Sequence, residues 1–83
     1  MSRTEIIDRL KDILLETDSR KAALIENCGE DLRLTTELGL SSVGMLYMVI
    51  AMEESFGVLF DNVSMGDFQT LRDVVDYLEA RLG

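Results

Sequence analysis

Between Val43 and Met52 the chain runs ten residues without a charge, and nearly all of them are apolar. Wound into a helix, this run presents apolar side chains at every angle around the axis. Such a helix is either central in its fold or offers one face to a ligand or partner. It is half the roughly 20 residues that a membrane span needs, so no stable membrane insertion is expected. The chain has 83 residues, enough for a single domain over residues 1–83. A domain of that size buries only about 60–65% of the surface its unfolded chain exposes. There is too little mass to cover every side of this helix.

The flanking sequence places the helix ends. Ser41-Ser42 opens it and Gly57 after Phe56 closes it. With no proline in the chain, the remaining punctuation falls to glycine and capping residues. Ser2-x-x-Glu5 is a capping box ahead of Ile6, Ile7, Leu10, Ile13 and Leu14, which share one helical face. Residues 20–27 suit a short helix capped by Ser19 and stopped at Gly29. From Gly29 to Leu40 the spacing of Leu32, Leu34, Leu38 and Leu40 fits an ordered loop better than a strand, because the run ends in a Gly39 turn. Ser64-x-x-Asp67 suits one helical turn around Phe68. Thr70-x-x-Asp73 opens a last helix with Leu71, Val74, Val75, Leu78 and Leu82 on its dry side. The expected fold is all-α: a small antiparallel bundle of three main helices plus one short helix, with a long ordered first loop.

Composition removes several function classes. Histidine, the usual general base and a common metal ligand, is absent. There is no glycine-rich phosphate loop, so an enzyme is not expected, and no metal site is expected. A calcium loop starting at Asp61 fails because Val63, Met65 and Arg72 fall where oxygen ligands are required. Cys28 is the lone cysteine; it closes no intrachain disulfide and reads as a small apolar residue. Sixteen acids against eight bases give a net charge of −8, which argues against a nucleic-acid partner. Residues 1–33 hold eight acids and six bases, and residues 34–83 hold eight acids and two. The excess favours basic partner surfaces, although a merely solvated acidic face has the same composition. The N-terminus reaches Glu5 before any apolar core, unlike a secretory signal. A cytoplasmic monomer is expected.

Two features of the central helix bear on function. Met45, Met48 and Met52 fall at i, i+3 and i+7, a stripe that serves either as core filler or as an adaptable docking surface. Ser41 is the N-cap, which leaves Ser42 at the first helical position with its hydroxyl not needed for capping. Free amides and the positive end of the helix dipole would stabilise a phosphodiester on that oxygen. A second small polar residue at a helix start is equally ordinary.

Three segments carry a resemblance that separates these readings. Glu37-Leu38-Gly39-Leu40-Ser41-Ser42-Val43 resembles the modification motif of acyl carrier proteins. Ala51-Met52-Glu53-Glu54-Ser55-Phe56-Gly57 is similar to that family's acidic helix end closed by Phe-Gly. Thr70-Leu71-Arg72-Asp73-Val74-Val75-Asp76-Tyr77-Leu78 resembles its last-helix signature. The resemblance implies a carrier rather than a catalyst, with phosphopantetheine from coenzyme A attached to Ser42 by a phosphopantetheinyl transferase. The arm's thiol would hold acyl or related groups as thioesters and present them to acyl-loading and acyl-processing enzymes, in fatty-acid, polyketide or another accessory biosynthesis. The implied docking residues are Ser41, Val43, Met45, Tyr47, Met48 and Met52. The implied lining of an acyl pocket is Leu46, Ile50, Val63, Phe68, Leu71 and Val75, residues that also suffice as plain core.

The chain departs from the family pattern in the first turns of this helix. Ser41 stands where an Asp is usual, and Gly44 and Tyr47 stand where acids are frequent, leaving Glu53 and Glu54 as the helix's charges. These departures point to a specialised carrier from an accessory pathway. The rival reading is an unmodified acidic interaction module that binds a helix through the methionine-rich face.

Overall fold

In the computed structural model, which describes residues 2–60 and 65–82, long helices start after Ser2, Ser41 and Thr70, as their capping patterns predict. Asp61, Val63 and the Ser64 cap lie outside the described residues. Helix α1 (Arg3–Thr17) starts on the Ser2 capping box: Ser2 Oγ accepts from the Glu5 amide at 3.2 Å, and the Glu5 carboxylate accepts from the Ser2 amide at 3.3 Å. Its buried face is Ile6, Leu10, Ile13 and Leu14. Asp18, rather than Ser19, starts the next segment. Its carboxylate accepts from the Arg20 amide at 3.1 Å and pairs with the Arg20 guanidinium, an added attraction that serine does not offer. A 3₁₀ turn over Ser19–Lys21 leads into the short α2 (Ala22–Asn27), which buries Ile25.

The leucine-rich segment after α2 is an ordered loop. Leu32, Leu34, Leu38 and Leu40 are all buried, and Arg33 and Thr70 form an isolated antiparallel bridge. The loop closes the open end of α4 (Leu71–Leu82). The Leu71 amide donates to Leu32 O and the Arg72 amide to Glu30 O, both at 2.9 Å. Those are two of the donors that a helix N-terminus leaves without internal partners. Thr70 and Asp73 complete the cap: Asp73 Oδ2 accepts from the Thr70 amide at 3.1 Å, and Thr70 Oγ1 accepts from the Asp73 amide at 3.3 Å.

Helix α3 (Ser42–Phe56) ends on Gly57 at φ 67°, a left-handed conformation that glycine adopts without a Cβ clash. A 3₁₀ turn over Met65–Asp67 precedes Phe68. Between α3 and α4, Phe60, Phe68 and Tyr77 form an aromatic triad with centroids 4.7–5.7 Å apart. The Phe60 amide donates to the Glu53 carboxylate at 2.9 Å, and Tyr77 donates to Leu59 O at 3.2 Å.

Of the two readings of the apolar run, the central place is not the one taken, because α1 occupies it. It packs against α2, α3 and α4, whereas α3 packs against α1 and the second 3₁₀ turn. Arg3 fastens the start of α1 to the rest, pairing with Glu30 in the loop and with Asp76 and Glu79 on α4 at 2.8 and 3.0 Å. Among the described residues no helix is long and apolar enough to cross a membrane.

Candidate functional site

The start of α3 is built by the loop before it. Gly39 at φ 80° turns the chain, and Leu40, buried beside Leu34 and Leu38, pins the residue before the cap. The Leu40 amide donates to Leu34 O at 2.9 Å, which fixes the direction of entry. Ser41 is the N-cap in extended conformation, its Oγ accepting from the Gly44 amide at 3.2 Å and its carbonyl from the Met45 amide at 2.9 Å. Capping is therefore complete without Ser42. Ser42 is exposed, and its hydroxyl makes no hydrogen bond with a described residue. The first-turn amides beside it have no partners inside the helix, and the helix dipole adds a local positive potential. An anion esterified to Ser42 Oγ would meet open donors rather than carboxylates, since α3 has no acid in its first turn.

Around the axis, α3 divides its apolar residues between two faces. Met45, Met48, Val49, Met52 and Phe56 are buried. Val43, Leu46, Tyr47 and Ile50 are exposed at 78, 50, 48 and 47%. This corrects the expected docking set. Ser41, Val43 and Tyr47 are exposed, but Met45, Met48 and Met52 are 2, 0 and 0% exposed and belong to the core. The stripe at i, i+3 and i+7 is the side that α3 turns inward, where flexible methionines fill the space next to α1.

The expected acyl lining is corrected in the same way. Phe68, Leu71 and Val75 are buried in the common core. Leu46 and Ile50 face outward on α3, so they do not line an internal space with them. Val63 lies outside the described residues. A recess of about 270 Å³ opens between the first loop and the residues before α4, lined by Arg33, Thr35, Thr36, Gly66, Phe68 and Gln69. Of the expected set it includes Phe68. Sequence reasoning missed this recess because its walls come from distant, non-helical segments. It also missed the outward stripe, whose signal was the i, i+3, i+4, i+7 spacing of Val43, Leu46, Tyr47 and Ile50.

Two further recesses flank α3 on its α1 side. One, of about 420 Å³, is lined by Glu16, Thr17, Ser41, Val43, Gly44 and Tyr47. The other, of about 480 Å³, lies between Arg9, Asp12, Ile13 and Glu16 on α1 and Tyr47, Ala51, Glu54 and Ser55 on α3. Arg9 donates to Ser55 O at 3.2 Å and lies 5.8 Å from the Phe56 ring centroid. It is thereby held against the end of α3.

No protein-family model matches the chain. Among curated proteins it is similar to an acyl carrier protein of Thermotoga maritima, 32% identical over 83 residues that cover 99% of this chain and 98% of that one. An acyl carrier protein of Coprothermobacter proteolyticus is 29% identical over 82 residues, covering 99% and 96%. One described as acyl carrier protein 3, from Ralstonia nicotianae, is 28% identical over 82 residues, covering 99% and 91%.

Proposed function

The chain belongs to the acyl carrier protein family, a family of carriers rather than enzymes, and from that premise we propose that it works through a phosphopantetheine arm on Ser42. The supporting observation is the division of labour between two adjacent serines. Ser41 closes the helix end, and Ser42 stands exposed with a hydroxyl that bonds no described residue. In the loading step the Ser42 oxygen attacks a phosphorus of coenzyme A. A P–O bond breaks, the adenosine bisphosphate half leaves, and the hydroxyl proton passes to a base of the transferase. The phosphodiester that results sits beside the open amides of the first turn, which stabilise its charge. The terminal thiol then carries an acyl or related group as a thioester to loading and processing enzymes in the cytoplasm. The apolar, acid-free start of α3 favours a specialised carrier of an accessory pathway over a housekeeping one.

The test is intact-mass measurement after incubation with coenzyme A and a broad-specificity phosphopantetheinyl transferase. The expected outcome is a gain of one arm in the native chain and none in Ser42→Ala. An unchanged native mass overturns the reading. The rival module that docks through methionines has lost its surface, because those three side chains are buried.

A further inference from the structure

We propose that the recess between the first loop and the residues before α4, lined by Arg33, Thr35, Thr36 and Gln69 beside Phe68, seats the far end of the carried acyl group, and that this end is a carboxylate. The cargo is then a short dicarboxylic acid held as a half-thioester, not a long fatty chain. This deepens the reading of Ser42 as the attachment site, by naming the class of cargo, and rests on it.

Arg33 is the odd arginine of the chain. Arg3, Arg20 and Arg72 pair with carboxylates, Arg9 donates to Ser55 O, and Arg81 lies over the Tyr77 ring. The Arg33 guanidinium has no partner among the described residues. Glu37 accepts from the Arg33 amide at 3.0 Å rather than from the guanidinium, and Asp31 is taken by Arg72 at 2.8 Å. Thr35, Thr36 and Gln69 add two hydroxyls and a side-chain amide, which likewise bond no described residue. In a chain with twice as many acids as bases, four unengaged donors around one recess suit an anion from outside the fold. A guanidinium fork matches a carboxylate with two parallel hydrogen bonds.

Size and reach fit the same cargo. The recess of about 270 Å³ is the room of roughly nine waters, enough for a short chain. The apolar space next to it is taken. Phe68 meets Phe60 and Tyr77 edge-on, with centroids 5.7 Å apart, and these are contact distances. A long chain continuing past Phe68 must part the triad. The path back to the attachment site is short, because the Leu40 amide donates to Leu34 O and Leu34 precedes Thr35 in the recess wall. Along that path the Cα atoms of Ser42 and Thr35 are at most about 17 Å apart. From the Ser42 oxygen to the sulfur of the arm there are about fourteen bonds, roughly 16 Å when extended. The thioester therefore reaches the recess, and tethering holds its tip at a local concentration on the order of millimolar.

The experiment uses coenzyme A alkylated on its sulfur with 4-bromobutanoate or with 1-bromobutane, which gives stable arms of matched length ending in a carboxylate or a methyl group. The same broad-specificity transferase installs each arm, and intact mass verifies it. The readout is backbone amide NMR of the loaded chain. The carboxylate-tipped arm is expected to shift the amide signals of Thr35, Thr36 and Gln69, whereas the methyl-tipped arm leaves them where the unalkylated arm does. Arg33→Gln is expected to lower the seated population about tenfold, as loss of a charge-assisted hydrogen bond does. Lys21→Gln, the same charge change on an exposed residue before α2, leaves that population unchanged. Both side chains are exposed, and circular dichroism verifies the fold. If the native chain accepts no arm, the Ser42 reading fails and this one with it. If it accepts both arms and they give the same amide signals, Ser42 stands and the recess holds no cargo. Free butanoate that reproduces the shifts at the protein's own concentration makes the recess a site for a soluble acid and overturns the proposal. Equal effects of Arg33→Gln and Lys21→Gln overturn it too, since they reduce Arg33 to general charge.

Discussion

Helices α3 and α4 solve the same folding problem with different sequences. Helix α4 buries Leu71, Val74, Val75 and Leu78 and leaves Arg72, Asp76 and Glu79 in water. Helix α3 buries Met45, Met48, Val49, Met52 and Phe56, then repeats an apolar face outside with Val43, Leu46, Tyr47 and Ile50. Folding a small bundle needs one dry face per helix, and α4 has just that. The second apolar face of α3 is surplus to the fold. It lies beside the one serine whose hydroxyl the helix start leaves unused, so its origin is better sought in contacts with other molecules than in stability.

Breaking the buried side of α3 gives the largest effect on stability. Met48 is fully buried, and Met48→Ala is expected to cost about 2–5 kcal/mol in denaturant unfolding, through lost burial and the cavity left behind. A cost below 1 kcal/mol would place the methionine stripe outside the core and undo the division between the two faces.

A smaller effect is expected where α4 begins. Asp73 accepts from the amides of Gln69 and Thr70 at 3.0 and 3.1 Å. Asp73→Ala leaves those donors to water and is expected to cost about 1 kcal/mol. Ser41→Ala, which removes the corresponding cap of α3, is the matched comparison, with a cost in the same range. Unlike Asp73→Ala, it also loosens the turn that presents Ser42.

Acid titration sharpens the contrast further, because the electrostatic fastening is on the α4 side. The Arg3 guanidinium holds the Glu30 carboxylate below its ordinary value of 4.5. A carboxylate with a depressed folded-state pKa contributes stability that is fully present above the ordinary value. It is lost as pH falls through the depressed one. Arg3→Gln removes this contribution and leaves Glu30, Asp76 and Glu79 without the shared cation that pairs with all three. The variant is expected to be less stable than the native chain at pH 7. Its curve meets the native one only well below pH 4.5, in urea midpoints measured across that range. The partners are part-exposed, so the difference is modest and shrinks with added salt.

Much of this architecture was legible because it is written locally. Ser2 with Glu5, Thr70 with Asp73, and Gly57 after Phe56 each state a helix end within four residues, and each holds in the structure. Ser41 and Ser42 were legible for the same reason, since the N-cap geometry of one defines the freedom of the other. What escaped was rotational and long-range. An all-apolar helix has no amphipathic signal to say which side faces in, so Met48 and Ile50 exchange their expected roles: the methionine is core and the isoleucine is surface. The cap expected at Ser19 is instead Asp18, at the start of the 3₁₀ turn that leads into α2, because Arg20 adds a charge contact that a serine pattern does not reveal. The binding of the first loop to α4 through Leu32 O and Glu30 O joins segments some forty residues apart, beyond the reach of any local motif.

The smallest expected effect on stability carries the most weight for the comparison. Leu46 and Ile50 are 50 and 47% exposed, and replacing both with glutamine removes apolar surface that already faces water in the folded chain. Glutamine is as good a helix former as leucine, so the double variant is expected to stay within about 0.5 kcal/mol of the native stability. Urea unfolding of Leu46→Gln/Ile50→Gln beside Met48→Ala measures the two faces of one helix directly. If the outward pair costs as much as the buried methionine, then α3 is apolar all round because the fold needs it. If it costs almost nothing, selection on folding alone does not account for an isoleucine and a leucine in water beside Ser42, and the outer face of α3 is a surface meant to be covered.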